Sequence, residues 1–423
     1  MNVTITPKPL GGSIRMIESK SHVHRLLIVA AWGNRQVHIG CTETSADIEA
    51  TVRSLNSLGA NIKRTASGYV VVPFSSAGTS PAMDCGESGS TLRFLLPVIG
   101  ALGKDISITL HGRLPERPLS PLWEELEKHG MSLKKSKEDV IQCSGKLSPG
   151  DYTLPGNVSS QFISGLLFAL PFLDGNSTLT VTGKLESKNY IDMTLDALEL
   201  FGIKIEQVGQ VFSVQGNQRA LSSDIVAEGD WSNAAFWLTA GALAKETTCT
   251  ALNPESLQGD RAITKILSQF GADVSCNKDS TTVAPKSLKG ITIDAEQIPD
   301  LVPILAVCAA NANGTTTITH AERLRIKESD RLATVTEMLR TLGATIEETS
   351  DGLIIQGGNQ LQGGATVSSH NDHRIAMAAA IAATVCKYPV VITDAQAVNK
   401  SYPKFWEHFK SLGGLIVRSD TNE

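Results

Sequence analysis

Residues 325–331 read RIKESDR and place Arg325, Lys327, Glu328, Asp330 and Arg331 within seven positions of a chain that is 19% charged overall. Acid and base packed this densely, just before an apolar helical stretch, suit a site that binds anions on its cations and moves protons on its carboxylates. A solvated salt-bridge patch is the competing reading. Polar clusters recur at SKSHVHR (19–25), GESGST (86–91), VSSQF (158–162) and NDHR (371–374), each just before or at the start of a helical segment. The first turn of a helix has unpaired N–H groups and a partial positive charge, so anions bind there readily. Several such termini brought together would form a polyanion pocket. Singly each cluster is weak. Ser19, Ser21, Ser159 and Ser160 read as helix caps, and GESGST lacks the GK[ST] ending of a nucleotide P-loop. His370 and His373 lack a metal-ligand pattern and read as structural. Asp300, in QIPDLVPILAV, reads as the cap of a buried helix, and Arg117, in LPERPLSPL, as a solvated turn charge.

The elements that must position these residues repeat. TVRSLNSLGANI, PLWEELEKHGMSL, TLDALELFGIKI, AITKILSQFGADV, ATVTEMLRTLGATI and FWEHFKSLGGLI each carry apolar residues at helical spacing, stop at glycine and continue into a short alternating run. The stops are Gly59, Gly130, Gly202, Gly271, Gly343 and Gly413, at intervals of 71, 72, 69, 72 and 70 residues, so six copies of one unit are predicted. Each unit has a second, more uniformly apolar helix: HRLLIVAAWG, STLRFLLPVIGALG, SSQFISGLLFALPFL, SNAAFWLTAGALA, DLVPILAVCAANA and HRIAMAAAIAATV. Hydrophobicity on all faces implies burial, so these are the inner helices. With strands such as ISITLHG, STLTVTG and GTTTITHA after them, the unit reads strand, helix, strand, helix, strand, and the class is α with β. Six units divide into two lobes of three.

Composition narrows the function. A length of 423 residues, 41% of them hydrophobic, describes a folded protein of two or three domains. The formal net charge of −5 disfavours a nucleic-acid binder, which should be basic. MNVTITPKPL lacks the apolar core of a secretory signal, and no run approaches the ~18 apolar residues of a membrane span, so a cytoplasmic protein without a membrane partner is expected. The seven cysteines are scattered and never form CxxC, which argues against a disulfide framework or a zinc knuckle. Cys85, in DCGESGST, is the one whose setting suits reactivity.

Taken together, SKSHVHR, GESGSTLR, LPERP, VSSQF, SKNYID, KESDR and NDHR resemble, in order and across nearly the whole chain, the enolpyruvyl transferase family in its shikimate 3-phosphate branch. The resemblance implies a two-lobed inside-out α/β barrel with three βαβαββ repeats per lobe. Residues 18–228 would form a lobe that mainly binds shikimate 3-phosphate. Residues 1–17 and 229–423 would form a discontinuous lobe with the phosphoenolpyruvate-binding and catalytic residues, the active site lying in the interlobe cleft. The implied reaction transfers the enolpyruvyl group of phosphoenolpyruvate to the 5-hydroxyl of shikimate 3-phosphate by addition and elimination. It needs no metal or organic cofactor, and a monomer acting on two small substrates is expected.

Carried over by motif, Lys20, Ser21, Arg25, Ser159, Ser160, Gln161, Ser187, Tyr190, Asp300, Arg323 and Lys327 are expected to hold shikimate 3-phosphate. Lys20, Gly89, Arg117, Gln161, Arg331, Arg374 and Lys400 are expected to hold phosphoenolpyruvate. Asp300 is the expected base for the hydroxyl, Lys20 and Glu328 are candidates for the remaining protons, and Asp330 is expected to orient a neighbour. Glu87 stands where many members have asparagine, Arg323 replaces a frequent asparagine contact, and Ile17-Glu18 precede SKS where a proline and a small residue are usual. The sister enzyme acting on UDP-N-acetylglucosamine would have a lysine-asparagine pair and a cysteine-bearing loop near residue 115, whereas this chain has Lys20-Ser21 and RLPERP. A non-catalytic phosphate sensor on the same fold would not need Asp300 and Glu328.

Overall fold

In the computed structural model, which describes residues 1–75, 80–221 and 223–419, every predicted helix stop has left-handed backbone. Gly59, Gly130, Gly202, Gly271, Gly343 and Gly413 have φ of 108°, 103°, 75°, 110°, 95° and 97°. A side chain there would be strained, which is why the residue recurs at each exit from helix to strand.

The repeat is clearest between residues 82 and 145. Strand Ala82–Asp84, helix Gly89–Leu102, strand Ile106–Thr109, helix Leu122–Lys128 and strands Met131–Lys137 and Val140–Gly145 follow one another. Ala82–Asp84 lies parallel to Ile106–Thr109, as a helical crossover requires, and the last two strands add antiparallel. The order is first, second, fourth, third, and it recurs in the four-stranded sheets built from 151–214 and 292–357.

The other three sheets are completed from a distance. Ile225–Val226 joins Val37–Gly40 in parallel, and Gly12–Arg15 joins Thr247–Thr250 in parallel. Asn2–Thr6 lies antiparallel between Val390–Thr393 and Leu415–Ser419. The chain accordingly divides into two compact units, Glu18–Ala227 and Met1–Ile17 with Glu228–Glu423. Each has its own hydrophobic core. Glu228, placed with the first lobe from the sequence, groups with the second unit, where its carboxylate accepts from Ser256 Oγ at 2.7 Å and Gln258 Nε2 at 2.9 Å.

The apolar helices lie inside. Every residue of His373–Ala383 is buried, and this helix packs on Trp231–Leu243 and Val302–Asn311, themselves almost wholly buried. In the other unit Gly89–Leu102 packs on Ser160–Leu167 so closely that a Cβ on Gly165 would stand 2.3 Å from the Arg93 carbonyl oxygen. Glycine is therefore required there by proximity. Among the described residues no helix is long and apolar enough to cross a membrane.

Two glycine substitutions separate backbone strain from crowding. A Cβ on Gly413 meets nothing within 4 Å, whereas one on Gly271 lies 2.7 Å from the Ser287 carbonyl oxygen. Gly413→Ala should cost about 1–2 kcal/mol in urea unfolding, the price of left-handed backbone alone. Gly271→Ala should cost measurably more.

Candidate active site

In the unit Glu18–Ala227 the candidate residues gather at the N-termini of inner helices. Helix Lys20–Ala31 is capped by Ser19, whose Oγ accepts from His22 N, and it opens with Lys20. The Lys20 ammonium is held by Asp47 at 2.7 Å, from the first turn of helix Ala46–Ser57. One turn on, Arg25 is 2% exposed. Its Nε donates to Thr194 Oγ1 at 2.9 Å, its Nη1 to the Ser21 carbonyl at 2.7 Å and its Nη2 to the Tyr190 carbonyl at 2.8 Å. The guanidinium also lies over the Phe94 and Tyr190 rings. Among the described residues no carboxylate pairs with it. Burial pulls its pKa down to about 10. A buried cation answered only by neutral groups favours an incoming anion.

A second anion position lies at the start of helix Gly89–Leu102, capped by Ser88. A Cβ on Gly89 would stand 2.7 Å from Arg117 Nη1 and 2.9 Å from Arg93 Nη1. Two guanidinium groups thus lean on the one residue without a side chain at a helix N-terminus, which is a cradle for phosphate or carboxylate. Gln161 completes it, its Oε1 accepting from Arg93 Nη1 at 2.9 Å and its Nε2 donating to Ser90 Oγ at 2.9 Å. Ser159 is the cap of helix Ser160–Leu167, while Ser160 and Ser21 lie within the first turns of their helices. Ser187, buried with φ of 52°, precedes helix Lys188–Leu200, which carries Tyr190.

In the unit Met1–Ile17 with Glu228–Glu423, the centre is Arg331, 1% exposed. Its Nε and Nη2 donate to the two oxygens of Asp372 at 2.8 and 3.2 Å, its Nη1 to Asp300 at 2.8 Å and its Nη2 to Glu328 at 2.8 Å. Although burial opposes its charge, Asp372, Glu328 and Asp300 raise its pKa, so it stays a cation. Asp300 also accepts from Arg374 Nη2 at 3.1 Å and lies 3.8 Å from Lys327 Nζ. Burial would raise the Asp300 carboxyl, but Arg374, Lys327 and Arg331 together hold it well below the ordinary carboxylate range. Burial lowers the Lys327 ammonium to about 8, with Asp300 opposing the fall. Asp372, fully buried, caps helix His373–Ala383 and accepts from Arg374 N at 2.9 Å. Lys400 ends the turn Ala395–Lys400 and donates to the Asn371 carbonyl at 2.6 Å.

The arrangement can present cations to anions and hold two carboxylates, Asp300 and Glu328, on one guanidinium. Several sequence expectations change. Asp300 caps nothing: it lies in the turn Pro299–Leu301 and turns its carboxylate to the cations. Arg117 is not a free turn charge but part of the Gly89 cradle. ESDR opens helix Arg331–Thr341, as its place before an apolar helical stretch implied, with Asp330 as its cap. Arg325 is an architectural clamp, gripping Asp330, Glu348 and the carbonyls of Thr349 and Ser350. Arg323 donates to the Glu296 carbonyl at 2.9 Å. The carboxylate of Glu87 packs where a Cβ of Gly112 would be. Cys85 is buried, and burial raises its thiol pKa, which removes it as a nucleophile.

Asp47, Arg93 and Asp372 escaped sequence reading. So did Asp260, 2% exposed and hydrogen-bonded by Ser232, whose carboxyl burial raises to about 6 against the pull of Arg374. Asp372 was signalled by its place in NDHR, and Asp47 by its place in a helix's first turn. Elsewhere, Asp294, Glu296 and His320 bring potential metal ligands within 4.8 Å of one another. The His320–Asp294 pairing at 3.1 Å recurs as His111–Asp84 at 3.1 Å in the other unit. The repeat accounts for the His–Asp pair.

Each unit, with helices within and four-stranded sheets without in three repeats, has the fold of the enolpyruvyl transferases. The chain superposes on the enolpyruvyl transferase NikO from Streptomyces tendae with a TM-score of 0.77 at 17% identity, covering 98% of each chain. It superposes on EPSP synthase from Acinetobacter baumannii with a TM-score of 0.82 at 25% identity, covering 99% of this chain and 100% of that one. The sequence profile of EPSP synthase (3-phosphoshikimate 1-carboxyvinyltransferase) matches residues 5–409. Proteins named 3-phosphoshikimate 1-carboxyvinyltransferase from Clostridium novyi and Clostridium kluyveri are 43% and 44% identical to it, each alignment covering 98% of both chains. The chain belongs to the EPSP synthase family.

The Gly89 cradle and Lys327 can be tested apart. Gly89→Ala forces the Arg117 and Arg93 guanidinium groups outward and should raise KM for the anion bound there about tenfold in steady-state kinetics. Lys327 loses its charge as pH rises through about 8. The kcat/KM profile should therefore fall on that alkaline side, and Lys327→Arg, which stays charged, should move the fall to higher pH.

Proposed function

We propose that this protein transfers the enolpyruvyl group of phosphoenolpyruvate to the 5-hydroxyl of shikimate 3-phosphate, releasing phosphate. The observation that carries the reading is the pair of carboxylates, Asp300 and Glu328, on the single guanidinium of Arg331 amid Lys327 and Arg374. Binding alone would be served by the cations. A carboxylate held ionised beside them supplies what proton transfer needs. Membership of the EPSP synthase family supports the same reaction over transfer to UDP-N-acetylglucosamine. Six of the seven cysteines are buried and none is bridged, which fits a reducing, cytoplasmic setting.

In this reading Lys20, Ser21, Arg25, Ser159, Ser160, Gln161, Ser187, Tyr190, Asp300, Arg323 and Lys327 hold shikimate 3-phosphate. Lys20, Gly89, Arg117, Gln161, Arg331, Arg374 and Lys400 hold phosphoenolpyruvate. Both substrates carry phosphate and carboxylate, so bringing them into contact requires cations in a site emptied of water. The 5-hydroxyl oxygen attacks carbon 2 of phosphoenolpyruvate while Asp300 takes the hydroxyl proton and carbon 3 gains a proton. The product is a tetrahedral phospho-ketal. Carbon 3 then loses a proton and phosphate leaves with its bonding electron pair, Lys20 and Glu328 handling these protons. Asp300 begins as a weak base because three cations hold it. Anionic substrates draw Arg374 and Lys327 to themselves and so raise its basicity at the moment it is needed.

Phosphate release tests the proposal. Phosphoenolpyruvate with shikimate 3-phosphate should give stoichiometric phosphate, and neither substrate alone should. Tight binding of both without release would leave a sensor instead. Asp300→Ala should retain shikimate 3-phosphate binding while turnover falls by about 10²–10⁴-fold, the range of a lost general base. Near-normal turnover would remove Asp300 from that role.

A further inference from the structure

Lys20 and Gly89 stand on different helices yet serve the same anion in the reading above, on which this inference rests. Between them runs a buried chain of side chains. His24 Nδ1 lies 2.7 Å from Thr51 Oγ1, Thr51 Oγ1 lies 2.7 Å from Thr91 Oγ1, and Thr91 Oγ1 donates to Ser88 Oγ at 2.7 Å. Ser88 Oγ also accepts from Thr91 N at 3.2 Å as the helix cap. His24, Thr51, Thr91 and Ser88 are each 0–1% exposed.

The proton order follows from the last link. A hydroxyl has one hydrogen to give. Thr91 gives its own to Ser88, so Thr51 gives its hydrogen to Thr91, and His24 must donate from Nδ1. Among the described residues His24 Nε2, buried, has no hydrogen-bond partner. Donation from Nδ1 suits a neutral ring with its lone pair on Nε2. Burial, with Lys20 and Arg25 adding to it, keeps the pKa of His24 well below its ordinary value. The chain thus runs one way, from the helix that carries Lys20 to the cap of the helix that carries Gly89.

Helix Ala46–Ser57 is the strut between them. Asp47 and Thr51, four residues apart on one face, make two rungs to the four-apart pair Lys20 and His24. Thr51 alone continues to the third helix. Apolar residues of the same size would fill this space without burying hydroxyls, whereas a continuous polar chain permits one helix register. Of the residues assigned to shikimate 3-phosphate, Lys20 is held by this strut but Arg25 is not. Arg25 is tied instead to Thr194 and Tyr190 on helix Lys188–Leu200.

We propose that Thr51 is a positioning residue for phosphoenolpyruvate, holding the Lys20 ammonium in register with the Gly89–Arg117 cradle through the His24–Thr51–Thr91–Ser88 chain. The experiment is steady-state kinetics on Thr51→Val, which keeps the shape and removes both bonds, beside Thr51→Ser, which keeps the hydroxyl. Thr51→Val should raise KM for phosphoenolpyruvate about tenfold. The Kd for shikimate 3-phosphate alone, by titration calorimetry, should stay within about twofold. Thr51→Ser should restore the parent KM. If Thr51→Val does not fold, Thr91→Val breaks the same chain and is read the same way. Unchanged kinetics, or equal loss of affinity for both substrates, would overturn the inference while the parent still turns over. A parent that releases no phosphate would instead overturn the assigned reaction.

Discussion

The buried guanidinium of Arg331, 1% exposed, is answered by three carboxylates, Asp300, Glu328 and Asp372. The pairing fixes more than one side chain. Asp372 begins helix His373–Ala383 and Arg331 begins helix Arg331–Thr341, so their contact ties two helix N-termini together and sets where Asp300 meets Arg374. Removing one member would leave a buried charge uncompensated, which is the costly way to break such a network. The cluster persists as a unit because its parts are unaffordable separately.

The two units treat charge in opposite ways. In Glu18–Ala227 the buried cation Arg25 sits on hydroxyl and carbonyl groups and over aromatic rings. Its field is left for a ligand. In the other unit the cations are already matched by carboxylates, so an arriving anion must displace or share existing pairs. Strong binding suits the first arrangement, and changes of protonation suit the second.

The sequence made the repeat visible because each helix exit needs a left-handed glycine and each inner helix must be apolar on every face. Both are local demands, written at the residues they concern. The sharing of strands was not legible from pattern: Asn2–Thr6 pairs with Leu415–Ser419, and nothing in either segment names the other. Site residues divide in the same way. Lys20, Arg117 and Asp300 were singled out as candidates through motif context, but Asp47 reads as an ordinary first-turn acid and Arg93 as a stray charge in an apolar helix. Their meaning comes from what they touch, Lys20 and Gln161, at 27 and 68 positions' remove. Thr51, opening TVRSLNSLGANI, and Thr91, closing GESGST, carried no individual signal for the same reason.

The borrowed strands impose an order on synthesis. A ribosome moving from residue 18 to residue 226 has delivered every strand of the first unit, including Ile225–Val226, which closes the sheet of Val37–Gly40. Asn2–Thr6, made before that unit, must wait unpaired until Val390–Thr393 emerges, with Leu415–Ser419 following on its other edge. A segment made ahead of the whole first unit is therefore paired only after that unit is complete, and the interval between is when a nascent chain most needs that alternating segment kept from pairing elsewhere.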